Sequence, residues 1–326
     1  MFEKAFTLAA LAALVCPALC AEWLTDFEAA RQKAAAEHKP IIMDFTGSDW
    51  CGACMHLHST VFEKPEFDAF VKDRFVLLEI DCPHGDKMPK EEKARNEALV
   101  TRYAVHAFPT VLVLAPNGDV TGGFLGSGFS MEKIQQELQL GLDNLAKLEK
   151  AQSLTGDEKL KALGEFYNAL NNDARPCAVS LEEQIIQADP QDTLGFGHRR
   201  AVERQRSDIK KRTLMLMQRR DPQQIMAVVR ELQPTVMPEN LPMLMELKTT
   251  ASVLAAQSED DLAKARDAMR AEMDALPDSP EKTEIANRLD ATFSDIHHLY
   301  LQLQATRARQ AELERMTEEA IKRQKQ

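Results

Sequence analysis

The sequence predicts two consecutive regions: an α/β region with a central mixed sheet flanked by helices, and an all-α region after it. In the first 150 residues, short apolar runs bounded by proline, glycine or polar turns alternate with amphipathic stretches, as in buried strands and helices. After residue 150 the strand signals end and helix-capping residues recur. A chain of 326 residues is also long enough for two domains. We therefore expect domains over residues 22–150 and 151–326.

Each element of the first region has its own signal. Thr25 and Glu28 have the spacing of a capping box, which predicts a helix continuing to about His38. Asn117-Gly118 predicts a hairpin turn, and Ser130 has the position of a helix cap. The predicted elements are helix 25–38, strand 41–45, a helix that starts at a Cys-x-x-Cys and is interrupted at Pro65, strand 75–80, helix 91–103, strands 111–114 and 120–125, and a helix after Ser130.

Capping signals also place the helices of the second region. Asp221-Pro222 and Ser279-Pro280 each put a capping side chain before a proline at the first helical position. The predicted helices are 157–171, 178–188, 193–218, 222–232, 240–257, 258–275 and 280–323. The last of them has an apolar face typical of a core or coiled-coil contact, formed by Ile285, Leu289, Phe293, Ile296 and Leu303.

The first 21 residues have the pattern of a cleaved signal peptide. Lys4 precedes an uncharged apolar run, Ala5–Cys20, and the small residues at its end suit cleavage after Cys20 or Ala21. The run is shorter than the roughly 20 residues that span a bilayer comfortably. An uncleaved anchor is the alternative, since the basic charge before the run is weak. We expect an exported mature protein, periplasmic or secreted.

Composition excludes some partners. The hydrophobic fraction of 44% suffices for cores, and the charged fraction of 28% favours a soluble protein. The net charge of −11 argues against nucleic acid or an anionic membrane surface as a partner.

Cys51-Gly52-Ala53-Cys54 carries the clearest chemistry in the chain. It follows a buried strand and opens a helix, where unsatisfied N–H groups and the helix dipole favour a thiolate at Cys51. Such cysteines have pKa values lowered to about 3.5–7.5, so the first sulfur is nucleophilic near neutral pH. Cys54, one turn further, is placed to attack a mixed disulfide formed by Cys51.

Two other uses of this motif remain. Cys51 and Cys54 could bind zinc or copper together with His56 or His58, but no second Cys-x-x-Cys or spaced histidine pair completes the set. They could also form an inert structural disulfide, although the short spacing and the preceding strand favour redox chemistry. We therefore predict no metal and no cofactor.

The remaining cysteines are few. Removal of the leader would take Cys16 and Cys20, leaving the redox pair and two single cysteines, Cys82 and Cys177. We expect both single cysteines to be free and buried, because an unpaired cysteine is commonly a small apolar core residue. The alternative is a disulfide between them.

Residues 22–150 resemble the thioredoxin superfamily, in particular exported bacterial thioredoxin-like domains. The conjunction of Trp-Cys-x-x-Cys with a later Phe-Pro-Thr is specific. The matching segments are Asp44-Phe45, Trp50-Cys51-Gly52-Ala53-Cys54, Ile80-Asp81 and Phe108-Pro109-Thr110.

The resemblance implies a role for each matching residue. Cys51 would be the nucleophile, Cys54 the resolving thiol, Asp44 a buried acid that takes the proton from Cys54, and Pro109 a cis-proline beside the pair. The substrate-binding positions would be Trp50, Phe108 and Thr110.

Alternatives and departures accompany these assignments. Asp44 could be only a hydrogen-bonded strand acid, because the loop before Cys51 is one residue longer than in thioredoxin. Pro109 could be an ordinary proline at the start of a strand. Leu77 lies near the position where thioredoxin has a lysine that assists proton transfer. His56 and His58 are expected to be partly exposed surface residues.

We therefore expect an exported thiol–disulfide oxidoreductase that exchanges disulfides with protein substrates through Cys51 and Cys54 and is reset by a redox partner. The direction of electron flow is open. The alternative is a non-catalytic binding or scaffold protein that keeps the fold. In the enzyme the helical region would select or present substrate, or would form a homodimer through its last helix. In the scaffold protein it would be the interaction or dimerisation domain.

Overall fold

A computed structural model describes residues 22–85 and 87–324. The chain forms two compact units, one up to Phe196 and the other from Gly197 onward. The predicted signal peptide, residues 1–21, lies outside the described residues. Within the described part of the chain, no helix combines the length and apolar character needed to span a membrane.

The first unit is built on a five-stranded mixed sheet, which confirms the predicted fold class. The strands lie in the order β1-β3-β2-β4-β5; β1 and β2 run parallel to β3, whereas β4 is antiparallel to both β2 and β5. The strands are β1 (Trp23–Leu24), β2 (Ile41–Thr46), β3 (Val76–Asp81), β4 (Thr110–Leu114) and β5 (Val120–Leu125). The two-residue β1 had no signal in the sequence.

Helices complete the first unit. The helices are α1 (Phe27–Glu37), α2 (Gly52–Leu57), α3 (Pro65–Val71), α4 (Lys90–Arg102), α5 (Met131–Ser153), α6 (Gly156–Ala169) and α7 (Val179–Ala188). A π-helical segment, His58–Phe62, continues directly from α2. The side chain that caps α1 is Asp26, which accepts the Ala29 N–H at 2.8 Å, so the predicted cap at Thr25 is wrong by one residue.

Successive side chains of a strand point to opposite faces of the sheet, and the two faces cover two separate apolar cores. Ile41, Met43 and Phe45 point to a core shared with α1, α4, α6 and α7. Ile42 points to the opposite core, which contains residues of α3, α5 and the segment from Leu57 to Phe62. Asp44 follows Ile42 by two residues and therefore faces this second core.

The compact unit extends beyond the domain end predicted at residue 150, which falls inside α5. Leu163, Phe166 and Phe196 are buried in the same core as strand residues of β2. The loop after α6 is also bonded to the edge strand β5. Asn171 donates to the Gly123 carbonyl at 2.8 Å, and the Leu125 N–H donates to Asp173 at 3.2 Å.

The second unit is helical, as predicted. Its helices are α8 (Phe196–Arg219, which begins at the last residue of the first unit), α9 (Pro222–Leu232), α10 (Leu241–Ala255), α11 (Glu259–Asp274) and α12 (Pro280–Gln324). Asp221 and Ser258 accept backbone N–H groups at the starts of α9 and α11. Of the apolar face predicted on the last helix, Ile285 is buried. The side chains of Leu289, Phe293, Ile296 and Leu303 lie outside the described residues.

Candidate active site

Cys51 and Cys54 form a disulfide at the start of α2. Cys51 is the N-cap residue, and its sulfur accepts the Cys54 backbone N–H at 3.1 Å. Cys51 is 6% exposed and Cys54 fully buried. In the reduced protein the same N–H would stabilise a thiolate on Cys51, the cysteine of the pair that keeps some solvent exposure.

The loop before Cys51 is bonded to the segment after β3. Ser48 donates its N–H and hydroxyl to Asp81 at 2.9 and 2.6 Å. The Asp49 carboxylate accepts the His84 N–H at 3.0 Å and Lys87 Nζ at 2.7 Å. The end of β3 and the segment that follows it therefore fix the loop that carries Cys51.

Trp50 is anchored in the same way but stays 39% exposed. Its indole N–H donates to the Cys82 carbonyl at 2.8 Å, and its ring stacks on His84 with a centroid separation of 4.8 Å. Gly47 makes this possible, because a Cβ at that position would lie 2.4 Å from the indole. The result is an accessible aromatic surface next to Cys51 in sequence.

The predicted proline segment lies against this aromatic surface. The Phe108–Pro109 peptide bond is cis, the isomer implied by the resemblance, and the Phe108 ring packs edge-on to Trp50 with a centroid separation of 5.5 Å. Thr110 is buried, and its hydroxyl donates to the Ala107 carbonyl at 2.7 Å. Trp50 and Phe108 thus form one surface, whereas the Thr110 side chain holds the loop before it.

Asp44 is fully buried and bonded to His58, a contact that the sequence analysis missed. His58 Nε2 lies 2.8 Å from Asp44 Oδ2 and 3.9 Å from Glu79 Oε2. Asp44 and Glu79 are direct partners in the β2–β3 pairing and so lie side by side on one face. Leu77, on the same strand, lies in the apolar core. The polar neighbour of Asp44 on β3 is therefore Glu79.

Burial and the hydrogen bond act on these groups in definite directions. Burial raises the pKa of the Asp44 carboxyl, and the bond to His58 opposes that rise. The bond to Asp44 raises the pKa of His58, with burial opposing it. Burial likewise raises the pKa of Glu79. The protonation states of Asp44 and His58 are therefore linked through their 2.8 Å contact.

Asp44, His58 and Glu79 also offer three possible metal-ligand atoms within 4.8 Å of one another. The 2.8 Å hydrogen bond between His58 and Asp44 accounts for that proximity, and we assign no ion to it. The group of zinc or copper ligands considered from the sequence, Cys51 and Cys54 with a histidine, is not assembled in this structure. Its two cysteines are joined as a disulfide, and His58 is directed to Asp44.

Cys82 and Cys177 are both free, as predicted. Cys177 is buried, but Cys82 is only half-buried, because it follows the end of β3 and lines a cavity of about 220 Å³. Burial raises the pKa of each thiol to about 11. Both therefore stay protonated, and poorly nucleophilic, near neutral pH.

Two signals could have revealed Glu79 and His58. Glu79 is an acid between apolar residues of the predicted strand 75–80, which is an expensive place for a charge without a partner. His58 follows Cys54 by four residues and thus lies on the same helix face. The strand pairing that unites them is not visible in the sequence.

Comparison with known proteins identifies the first unit. The model of a thioredoxin-like domain matches residues 27–140. Disulfide bond reductase DsbH of Chlamydia pneumoniae is 32% identical over 89 residues, which are 27% of this chain and 54% of DsbH. Thioredoxin-related protein DsbJ of the same organism is 30% identical over 93 residues, 28% of this chain and 27% of DsbJ. The chain thus spans about half the length of one curated relative and about a quarter of the other.

Among solved structures, a DsbH oxidoreductase is similar with 23% identity and a TM-score of 0.36, over 44% of this chain and 95% of that one. The matched residues 27–140 contain the disulfide pair, the buried acid and the cis-proline. This chain therefore contains a thioredoxin-like domain, homologous to DsbH and DsbJ and built around Cys51 and Cys54.

Proposed function

We propose that this protein is an exported thiol–disulfide oxidoreductase that exchanges disulfides with protein substrates. The observation that carries the proposal is the asymmetry of the pair. Cys51 is partly accessible and accepts a helix N–H, whereas Cys54 is sealed one turn further along. Disulfide exchange needs an accessible nucleophilic thiol that attacks the substrate and a second, shielded thiol that resolves the mixed disulfide.

The chemistry in the reducing direction has two steps. The Cys51 thiolate attacks a substrate disulfide, forming a Cys51–substrate bond and releasing one substrate thiolate. Cys54 then loses its proton and attacks the Cys51 sulfur, closing the Cys51–Cys54 bond and releasing the second substrate thiolate. Two electrons pass to the substrate, and the reverse sequence oxidises it. Asp44, buried on the helix-covered face of the sheet, is the proposed acceptor of the Cys54 proton.

The surface formed by Trp50 and Phe108 is the proposed substrate contact. It is apolar, partly exposed and fixed to the loop that carries Cys51. Pro109 has no N–H, so its cis bond shapes this surface without adding a donor. Export is supported by the leader pattern in residues 1–21. The reaction class is supported by the relative DsbH, which is named a disulfide bond reductase.

Turnover tests the activity directly. The wild-type protein should catalyse the reduction of insulin by dithiothreitol, and Cys51→Ser and Cys54→Ser should abolish catalysis. The double variant Cys82→Ser/Cys177→Ser is the matched control. It should keep wild-type turnover, because its thiols are protonated near neutral pH. Full activity without Cys51 would refute the proposal and favour a binding or scaffold role.

Equilibration with glutathione then gives the direction. A potential near about −270 mV would indicate a reductase, and one near about −120 mV an oxidant.

We also propose that the second unit selects substrate. All six cysteines precede residue 178, so residues 197–326 contain no thiol. Leu214 and Met215 on α8 are more than half exposed and could contact an apolar chain. A fragment of residues 22–196 should keep turnover on a small disulfide and lose it on proteins. Equal activity on both, with a change from dimer to monomer, would favour dimerisation instead.

A further inference from the structure

His58 is bonded to both Cys54 of the redox pair and the buried acid Asp44. The backbone N–H of His58 donates to the backbone carbonyl of Cys54, so a helical turn joins the two residues. Side chains four residues apart on such a turn share one face. His58 Nε2 then reaches Asp44 Oδ2 at 2.8 Å. His58 therefore follows Cys54 by one helical turn and is bonded to Asp44 through its imidazole.

The Asp44 carboxyl is shielded from bulk water. The residue is fully buried, and its second oxygen, Oδ1, has no hydrogen-bond partner among the described residues. A buried acid that accepts a proton at each turnover must also lose it. The His58 side chain is 25% exposed and lines a cavity of about 210 Å³, together with Thr46, Ser48, Met55, Glu63 and Glu79.

We propose that His58 is a positioning residue for the resolving step, which keeps Asp44 able to accept the Cys54 proton and passes that proton to water. The proposal rests on the proposed thiol–disulfide chemistry and deepens it. The imidazole both hydrogen-bonds to Asp44 and lines the cavity.

The proton balance is simple. Before the step, Asp44 and His58 together hold one proton across their hydrogen bond. Cys54 gives up a second proton as its sulfur bonds to Cys51 and the Cys51–substrate bond breaks. Asp44 and His58 then hold two protons together. His58 releases one of these protons to water through the exposed part of its side chain. The departing substrate thiolate takes a proton from solvent.

The charges around the pair favour this arrangement. From β3, Glu79 lies 3.9 Å from His58 Nε2, and Asp81 acts on Asp44 by like-charge repulsion. Glu63, after the π-helical segment, also favours the charged imidazole. A cationic His58 offsets these carboxylates, and it lowers the pH at which Asp44 becomes a base.

Single-turnover kinetics tests the idea. The reduced protein, in a Cys82→Ser/Cys177→Ser background, is mixed with the aromatic disulfide DTNB. Attack by Cys51 releases a first thionitrobenzoate at a rate that rises with DTNB concentration. Attack by Cys54 releases the second at a rate that reaches a plateau. The plateau rate is measured from pH 5.5 to 9 for wild type, His58→Gln and His56→Gln. His56 is the matched control, an exposed histidine two residues away.

In His58→Gln the acidic limb of the plateau rate should move to higher pH by about one unit or more. On that limb one unit is a loss of about tenfold. The first-phase rate should not change, and His56→Gln should follow wild type in both phases. A His58→Gln profile that superimposes on wild type would overturn the inference. A wild-type protein that releases no thionitrobenzoate from Cys51 would instead overturn the proposed function.

A second measurement needs no His58 variant. In the NMR spectrum of the wild-type protein, the His58 ring should titrate above the usual histidine pKa of about 6.5. Its midpoint should fall in Asp44→Asn, where the partner carries no charge. If His58→Gln fails to fold, this titration decides: an ordinary midpoint that Asp44→Asn leaves unchanged would overturn the inference.

Discussion

Asn171→Ala tests whether the loop after α6 belongs to the first unit. The Asn171 side chain donates to the Gly123 carbonyl at 2.8 Å and to Glu137 at 3.1 Å, and it accepts the Ala174 N–H at 2.8 Å. Each such bond contributes about 0.5–1.5 kcal/mol net, and water replaces part of the loss because the residue is half-buried. We expect a loss of about 2 kcal/mol in the free energy of unfolding.

Tryptophan fluorescence during urea unfolding measures this loss selectively. The chain has two tryptophans, Trp23 and Trp50, and both lie in the first unit. With a urea slope of about 2 kcal/mol per M, the midpoint of Asn171→Ala should fall by about 1 M. Asn172→Ala is the matched control, because this neighbour is exposed and bonds to no described residue through its side chain. Its midpoint should stay within experimental error. Equal midpoints for the two variants would refute the assignment of this loop to the first unit.

Three further predictions follow from the same structure. Limiting iodoacetamide should label Cys51 of the reduced protein, and preferential labelling of Cys54 on peptide mapping would contradict the order of the pair. Because its buried carboxylate partner raises the pKa of His58, the stability due to protonation is full below about pH 6.5 and is lost as the pH rises through the raised value. Urea midpoints from pH 6 to 9 should therefore decline in wild type and decline less in His58→Gln; equal slopes would contradict this. Gly141→Ala should cost about 1–3 kcal/mol, since a Cβ there would lie 2.7 Å from a valine side chain of β4. Gly128→Ala, with open space around it, should leave the urea midpoint unchanged, and similar midpoints for the two variants would count against the close packing.

The sequence was most informative where a residue type has a strong local constraint. Cys51, Cys54 and Pro109 are read from short motifs, and strands β2 to β5 were predicted within one or two residues because their apolar runs end at turns. Asp44 could be named because Asp44-Phe45 is one of the segments that match the thioredoxin superfamily. These signals depend on neighbours in the chain.

The features that could not be predicted from the sequence depend on contacts between segments that are far apart in the chain. His58 was expected at the surface, since nothing near it in the chain indicates that β2 brings Asp44 within 2.8 Å. Glu79 gains its importance from its register with Asp44. The extent of the first unit was equally hidden, because α6 and α7 carry ordinary helical patterns and their core partners lie far away in sequence.

The bonds from the loop after α6 to β5 also bear on self-association. A sheet edge with unpaired N–H and C=O groups is a template for strands of other molecules, which leads to aggregation. Here one edge strand has only two residues, and at the other edge the Gly123 carbonyl and the Leu125 N–H are already occupied by Asn171 and Asp173. The loop after α6 therefore limits strand addition at the β5 edge, which matters for an enzyme that, as we propose, binds other protein chains.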